Sequence, residues 1–209
     1  MRKLIFTVLL SAFAFQAGAQ SVALRWILGE TNRIYNNPKF DNYCMGLGVD
    51  RTFNEKLTAG FDISYDIGNA ASGSPAYLYL VGGDYTIKPG LLTMNYHTEF
   101  AIGDDGGTHA YIGTFVGLRK IWQNWTRVDY TNGSLPPTRK FSELLVPVGL
   151  RLGLRGATDG GFMDLYVALG YQIGGGEKIA DVKLAHTDQG FIETTSLALS
   201  IGLAYGIGW

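Results

Sequence analysis

LALSIGLAYGIGW, residues 197–209, alternates between large apolar and small side chains. Every odd-numbered position in it is large and apolar, and every even-numbered position is Ala, Ser or Gly. Because successive side chains of a β-strand point to opposite faces, this stretch predicts a strand with one apolar face and one nearly bare face. A strand of a soluble sandwich would turn charges toward water, yet no charge occurs from Thr194 onward. The pattern therefore indicates lipid on one side of the strand and a crowded barrel interior on the other.

The same two-residue period recurs upstream, where the second face is charged. In residues 57–67 the apolar side chains alternate with Thr, Gly, Ser and two aspartates. In residues 144–155 they alternate with positions that include Arg151 and Arg155. Clusters of Gly, Asn, Asp and Pro separate such segments, as turns separate antiparallel strands. Nine segments are predicted as strands, at residues 21–28, 43–50, 57–67, 76–87, 91–102, 109–119, 144–154, 163–173 and 197–209.

The number of strands has to be even, because both termini of a single-chain bacterial barrel lie on the periplasmic side. We therefore predict a tenth strand at residues 125–130, preceded by a turn at Gln123-Asn124. Short connections at residues 53–56, 88–90 and 156–160 then fall on the periplasmic side. The sequence thus predicts an all-β fold, a closed antiparallel transmembrane barrel of ten strands. Eight strands are the alternative if one hairpin is assigned wrongly.

The N-terminus is typical of a signal peptide. Arg2 and Lys3 precede an uncharged apolar run at residues 4–15, and Ala17-Gly18-Ala19 provides a small-residue cleavage site. The apolar run is too short for a transmembrane helix. We predict a signal peptide at residues 1–19 and one barrel domain at residues 20–209, since no Pro/Ser-rich or charged linker interrupts the strand pattern.

Composition argues against several kinds of partner. Loss of Arg2 and Lys3 with the signal peptide leaves 15 basic against 18 acidic residues, and no basic cluster is present. Binding to nucleic acid needs clustered Lys and Arg, so we expect no nucleic-acid partner. Cys44 is the only cysteine and lies well past the cleavage site, which argues against an internal disulfide and against a lipid-modified N-terminal cysteine.

The charged faces of the predicted strands define the barrel interior. Side chains fill the interior of a barrel this narrow, and buried charges persist only when paired. We therefore predict an internal salt-bridge network that sets the strand register and plugs the pore, with a narrow ion or solute path as the alternative. The predicted network comprises Asp62, Asp66, Asp84, Glu99, Arg151, Arg155 and Asp164, with Arg25, Asp50, Asn95, His97 and Arg119 on the same face.

Catalytic alternatives rest on few residues. His97 shares a strand face with Asn95 and Glu99, where a serine of a neighbouring strand would complete a lipase-like set, but no serine is identifiable as that partner. His109 follows Asp104-Asp105, a segment that fits a turn. No metal-ligand spacing and no phosphate-binding loop is present. We expect no catalytic residue, no metal and no cofactor.

The chain resembles the small outer-membrane β-barrels of the OmpA/OmpX-like porin superfamily over residues 21–209. The alternation and the terminal Tyr205-Gly206-Ile207-Gly208-Trp209 carry this resemblance. It implies that Tyr205, Ile207 and Trp209 form a signal for the barrel-assembly machinery and that the outer face contacts outer-membrane lipid. A narrower similarity is to the conjugative-transposon TraO family, carried by the leader at residues 1–10 and by Asp41-Asn42-Tyr43.

These observations predict a non-enzymatic barrel in a bacterial outer membrane, with a structural or interaction role through its extracellular loops or as part of a membrane assembly. Residues 122–140, which contain two Trp, a Tyr and a Pro pair, are a candidate contact surface for a protein partner. The alternatives are a TraO-like component of a conjugative transfer system, a barrel enzyme acting on lipid or ester substrates, and a narrow channel.

Overall fold

A computed structural model describes residues 21–35, 42–69, 76–80, 83–103, 107–127, 138–175, 178–184 and 188–208 of the 209-residue chain. No helix in this part of the chain is long and apolar enough to cross a membrane. The strands are β1 (Ser21–Tyr35), β2 (Asn42–Thr52), β3 (Leu57–Asn69), β4 (Ala76–Leu80), β5 (Gly83–Ile102), β6 (Thr108–Arg127), β7 (Thr138–Thr158), β8 (Gly161–Ile173), β9 (Lys178–Leu184) and β10 (Asp188–Gly208).

Eight of these strands close into an antiparallel barrel, in the order β1-β2-β3-β5-β6-β7-β8-β10. Closure comes from the pairing of β10 with β1, which extends from Ala23 opposite Gly208 to Tyr35 opposite Thr194. Because these two strands are antiparallel neighbours, Ser21 and Gly208 lie at the same end of the barrel. The predicted all-β, closed antiparallel barrel is confirmed.

Eight strands rather than ten close the barrel, which is the alternative that the sequence left open. Residues 76–87, predicted as one strand, form a hairpin in which β4 folds back on the first residues of β5. In the same way, β9 folds back on the first residues of β10. The two short arms meet where Leu80 pairs with Val182. A hairpin arm keeps the two-residue period, so alternation alone does not distinguish it from a membrane-spanning strand.

The predicted tenth strand at residues 125–130 is wrong, because β6 continues to Arg127 without a turn at Gln123-Asn124. Gln123 pairs with Pro89 of β5 on one side and with Phe141 of β7 on the other. Pairing on both edges therefore overrides the local turn preference of Asn. Residues 128–130 of this prediction lie outside the described residues.

The predicted connection at residues 88–90 is also wrong, since these residues lie inside β5. Pro89 has no N–H to donate, so it fits only where one strand edge is unpaired. The pairing of β5 with β3 extends only to Leu92, opposite Tyr65, and Pro89 lies beyond it. At Pro89, β5 therefore has to form backbone hydrogen bonds only with β6.

The two ends of the barrel differ in their connections. At the end that carries Ser21 and Gly208, here called the turn end, the chain reverses within residues 53–56 and 159–160. The Asn54 Oδ1 atom accepts hydrogen bonds from the backbone N–H groups of residues 56 and 57, at 2.9 and 2.8 Å, which closes the first turn. Gly160 closes the second with a φ of 84°. The opposite end, the loop end, carries the arms β4 and β9.

Within most strands, side chains alternate between the lumen and the outer surface. In β8, Asp164 and Tyr166 are buried, whereas Leu165 and Val167 are exposed on the outside. Among the described residues, 28 large apolar side chains are between 37% and 57% exposed, and all eight barrel strands contribute to them. This ring is called the apolar belt. β8 has 13 residues, enough to cross a bilayer, since a tilted strand needs about 9–11.

β5, β6 and β7 are longer than the apolar belt requires, with 20, 20 and 21 residues. Their excess residues lie at the loop end and remain paired. Tyr85 of β5 lies opposite Arg127 of β6, and Thr126 of β6 lies opposite Thr138 of β7. The paired residues 83–90, 121–127 and 138–143 are called the β5–β7 extension.

A β-bulge in β1 changes which positions face the lumen. Odd positions are buried up to Ile27 and even positions from Glu30 onward, and the pairing with both neighbouring strands shifts at the same place. The hydroxyl of Tyr43 donates a hydrogen bond to the carbonyl oxygen of Leu28 at 3.4 Å. A Cβ atom at Gly29 would collide with this tyrosine. The predicted strand at residues 21–28 therefore ends where the bulge breaks the alternation.

Large lumen side chains lie over glycines of neighbouring strands. Tyr166 of β8 is opposite Gly202 of β10, and Tyr111 of β6 is opposite Gly153 of β7. A Cβ atom at either glycine would overlap the tyrosine ring. Small barrels commonly fill their interior by such alternation of small and large residues. The large lumen residues thus occupy the space beside the small residues of strands such as β10.

Replacing Gly202 by alanine should destabilise the barrel by roughly 1–3 kcal/mol, the usual cost of overpacking. The Tyr166 ring has little room to retreat, because the guanidinium carbons of Arg151 and Arg25 lie 3.8 and 5.1 Å from its centroid. The measurement is the urea midpoint of the mature barrel in lipid vesicles. Gly208→Ala is the matched control, since its Cβ would meet nothing closer than 3.8 Å. Equal midpoints for the two variants would contradict the packing argument.

Candidate functional site

Eight ionisable side chains meet in the lumen, in the half of the barrel nearer the turn end. They come from six strands, and their side chains are between 0% and 10% exposed. Taking a charge out of water costs several kcal/mol, so such a group requires close partners. The lumen charge cluster comprises Arg25, Asp50, Asp62, His97, Glu99, Arg151, Arg155 and Asp164.

Two arginines of β7 bridge the carboxylates. Arg155 Nη2 lies 2.6 Å from Glu99 Oε2 and 3.0 Å from Asp50 Oδ2. Arg151 Nε lies 3.3 Å from Glu99 Oε1, and its Nη2 lies 3.3 Å from Asp164 Oδ2. The two guanidinium groups thus join strands on opposite sides of the lumen through shared anions.

Arg25 of β1 is fully buried at the middle of the cluster. Its Nη2 lies 2.7 Å from Asp164 Oδ2. Its Nη1 lies 3.8 Å from oxygens of both Asp50 and Asp62 and 3.7 Å from Glu99 Oε1. On the neighbouring strands it is paired with two glycines, Gly48 of β2 and Gly206 of β10.

Two tyrosines hold the arginines in place. Tyr111 donates a hydrogen bond to Asp164 Oδ1 at 2.8 Å and accepts one from Arg151 Nε at 3.3 Å. The ring of Tyr166 lies beneath Arg151, 3.8 Å from its guanidinium carbon. Such cation–π contacts strengthen when they are desolvated, as they are in this lumen.

A second polar group lies nearer the loop end, around Arg119. Its Nη1 donates to Gln172 Oε1 at 2.7 Å, and its Nη2 donates to Asn32 Oδ1 at 2.8 Å and to Ser200 Oγ at 2.7 Å. Above this network lie four fully buried apolar side chains: Ile34, Leu91, Ile121 and Leu145. Polar and apolar layers therefore succeed one another along the described lumen.

The structure places the predicted network residues as follows. Asp66 lies apart from the lumen charge cluster and accepts a hydrogen bond from Asn42 Nδ2 at 3.0 Å. Asp84 belongs to β5, but its side chain is outside the described residues. The other five lie together in the cluster: Asp62, Glu99, Arg151, Arg155 and Asp164.

Glu30 and Tyr111 are among the lumen residues that the predicted network did not include. Glu30 is 2% exposed and accepts a hydrogen bond from Ser64 at 3.3 Å. Because the bulge in β1 shifts the alternation, a two-residue period counted from residues 21–27 would place Glu30 on the outer face. Tyr111 and Arg119 both occupy odd-numbered positions of β6, so the two-residue period places Tyr111 on the same lumen face as Arg119.

The C-terminal residues assigned to assembly lie on the outer face of β10 as far as they are described. Tyr205 stacks on Trp26 of β1, with ring centroids 6.4 Å apart. Ile207 is 37% exposed and belongs to the apolar belt. Trp209 lies outside the described residues.

His97 is enclosed by charged groups. Its Nε2 lies 3.2 Å from both Asp50 Oδ1 and Arg25 Nη1, and its Nδ1 lies 3.3 Å from Asp62 Oδ2. The side chain is 0% exposed. A substrate would have to displace the lumen charge cluster to reach this imidazole, which disfavours the lipase-like alternative. Asp104-Asp105 of the other catalytic alternative lie outside the described residues.

Solved structures of small outer-membrane proteins are similar to this chain. Neisserial surface protein A is 11% identical, with 90% of this chain and 94% of that chain covered and a TM-score of 0.50. OprG from Pseudomonas aeruginosa is 9% identical, with 92% and 97% covered and a TM-score of 0.49. Ail of Yersinia pestis is 9% identical, with 90% and 97% covered and a TM-score of 0.44. The predicted resemblance to small outer-membrane barrels is confirmed for the fold. No protein-family model matches the chain, and no curated protein matches it.

Replacing Arg151 by methionine should destabilise the barrel by about 3–5 kcal/mol, because Asp62, Glu99 and Asp164 would lose a buried cation. The added change Glu99→Gln should recover part of the loss, since it removes one unpaired carboxylate. Urea midpoints of the mature barrel report both effects. Lys120→Met, an exposed cation on β6, is the matched control. An Arg151→Met barrel as stable as this control would rule out the cluster as a stabilising network.

Proposed function

We propose that the protein is a non-enzymatic outer-membrane barrel that acts through its loop-end surface, by binding a partner or by joining a membrane assembly. The apolar belt supports a position in a bilayer. In single-chain bacterial barrels the termini and the short turns face the periplasm. The turn end would thus be periplasmic, and the arms and the β5–β7 extension would face outward.

The filled lumen is the observation that carries this proposal. The side chains of the lumen charge cluster are at most 10% exposed, and the apolar layer of Ile34, Leu91, Ile121 and Leu145 is fully buried. A conducting pore would instead leave its lining charges in contact with water. The filling therefore favours a plugged barrel over the narrow-channel alternative and leaves the outer surfaces to carry function.

The β5–β7 extension supports the loop end as the acting surface. Its strands remain paired beyond the apolar belt, up to Tyr85 opposite Arg127. At its base, the ring of Trp122 lies 5.9 Å from that of Tyr65 and occupies the space over Gly90. A surface held in this way loses little conformational entropy when a partner binds.

Export and assembly belong to the same proposal. The N-terminal pattern supports removal of residues 1–19, and the outward alternation of Tyr205 and Ile207 supports recognition of β10 by the barrel-assembly machinery. A role in a conjugative transfer system, implied by the similarity in the leader and at residues 41–43, stays a prediction.

Cells that express the full chain should contain it in the outer membrane, and the unheated protein should migrate faster than the heated protein in mild detergent. A closed, hydrogen-bonded barrel resists detergent until it is heated, which accounts for the shift. Planar bilayers that contain the purified barrel should show no steady conductance. A soluble, unshifted band would contradict the membrane location, and sustained ion currents would instead favour the channel alternative.

Shortening the β5–β7 extension should abolish partner binding without unfolding the barrel. Gln123 lies opposite Phe141, so residues 124–140 are replaceable by an Asn-Gly turn. In outer membranes of the native host, a crosslinker should join the wild-type protein, but not the shortened one, to a partner. Heat-modifiable migration checks that the shortened barrel is closed. Asp159→Asn, in the turn end, is the control and should leave the crosslinks unchanged. Identical crosslinks in the shortened protein would exclude this surface.

A further inference from the structure

Three side chains of the lumen charge cluster are arranged like the ligands of a metal ion. One ligand atom from each of Asp50, His97 and Glu99 lies within 4.8 Å of the others. His97 Nε2 is 3.2 Å from Asp50 Oδ1 and 3.4 Å from Glu99 Oε1. Metal–ligand bonds of about 2.0–2.2 Å in a tetrahedral site place neighbouring ligand atoms roughly 3.3–3.5 Å apart. The separation from Glu99 lies within this range, and the separation from Asp50 falls just below it.

The carboxylate oxygens of this set are incompletely satisfied. Among the described residues, Asp50 Oδ1 and Glu99 Oε1 are buried and accept no hydrogen bond, although Arg151 Nε lies 3.3 Å from Glu99 Oε1. Arg155 Nη2 contacts the second oxygen of each carboxylate. The two buried oxygens lie 3.2 and 3.4 Å from His97 Nε2. Buried oxygens of this kind normally have a partner.

A second-shell group also fits a metal site. The other ring nitrogen of His97, Nδ1, lies 3.3 Å from Asp62 Oδ2. Histidines that bind a metal almost always donate their second N–H to a carboxylate or carbonyl, which fixes the ring and its tautomer. Asp62 is 2% exposed and has this position relative to His97.

The place where a metal would bind is occupied by Arg25. Its Nη1 atom lies 3.2 Å from His97 Nε2, 3.8 Å from Asp50 Oδ1 and 3.7 Å from Glu99 Oε1. A guanidinium nitrogen is therefore in contact range of all three ligand atoms. It supplies one positive charge there, whereas a divalent ion would supply two.

The charge balance explains why the Arg25 guanidinium and a divalent metal ion would not occupy the cluster together. The cluster has three arginines, Arg25, Arg151 and Arg155, against four carboxylates. An imidazole binds a metal only in its neutral form, and with His97 in that form the wild-type cluster has one excess negative charge. An added divalent ion would reverse its sign. Without Arg25, two arginines face four carboxylates, and a divalent ion would restore neutrality.

We propose that Asp50, His97 and Glu99 form a divalent-metal donor set whose metal position is held by the guanidinium of Arg25. The wild-type lumen therefore excludes metal ions, and loss of this side chain creates a site for an ion such as Zn²⁺ or Co²⁺. Arg25 makes the stability of the cluster independent of metal supply.

The test compares Co²⁺ binding by the full mature barrel in its wild-type and Arg25→Ser forms, followed by visible absorption of the bound ion. The variant should bind Co²⁺ stoichiometrically, and Zn²⁺ should displace the Co²⁺ and raise the urea midpoint of the variant. The wild-type barrel should show neither effect. Adding His97→Gln to Arg25→Ser should abolish binding, and adding Asp62→Asn should weaken it roughly 10–100-fold, the usual second-shell effect.

A second variant covers the case in which Arg25→Ser does not fold. Arg25→Asn supplies an amide N–H donor within the cluster, keeps the three ligands and has the same net charge as Arg25→Ser. Co²⁺ binding by this folded variant, lost on His97→Gln, supports the proposal. Absence of binding in a folded variant without Arg25, or equal binding by the wild-type barrel, overturns it.

Discussion

The pairing of β10 with β1 is the constraint on which the rest of the structure depends, because it removes both free edges from the sheet. An unpaired N–H or C=O group within an apolar medium costs several kcal/mol, so an open sheet inside the apolar belt would be unstable. Closure with eight strands leaves an interior only wide enough for side chains. Each inward position must therefore suit the positions across the lumen, which is why Tyr166 lies over Gly202 and Arg25 lies between Gly48 and Gly206.

The lumen charge cluster makes this closure specific to one register. A shift of one residue between strands would turn Arg151 and Arg155 toward the apolar belt and bring leucines such as Leu152 into the lumen. Buried ion pairs are often no more stabilising than well-packed apolar residues, but they strongly penalise arrangements in which one member loses its partners. Because the cluster draws members from six strands, a slip in any of these strands separates charges. We therefore infer that its main contribution is to the choice of register.

The sequence predicted the orientation of side chains better than it predicted the order of strands. Alternation placed Asp62, Glu99 and Asp164 on lumen faces, because parity along one strand is a local property. It did not distinguish hairpin arms from barrel strands, since residues 76–80 keep the same period while pairing only outside the belt. The bulge after Ile27 depends on the packing of Tyr43 against Gly29, a contact between two strands, and so the lumen position of Glu30 was not evident from the sequence alone.

The lumen and the β5–β7 extension have different roles. The lumen stabilises the closed barrel, and the extension forms the proposed contact surface at the loop end. The lumen is committed to closure, because the charged side chains of its cluster contact partners on several strands. The extension inherits its register from the same strands, because the pairing of β5 with β6 is continuous from Ile102 opposite Ala110 to Tyr85 opposite Arg127. Ile121 and Gln123 are fully buried at the base of the extension, and strand pairing continues past them toward the loop end. Substitutions in the lumen affect every strand that the lumen charge cluster joins, whereas connecting segments on a protein surface generally tolerate change more readily.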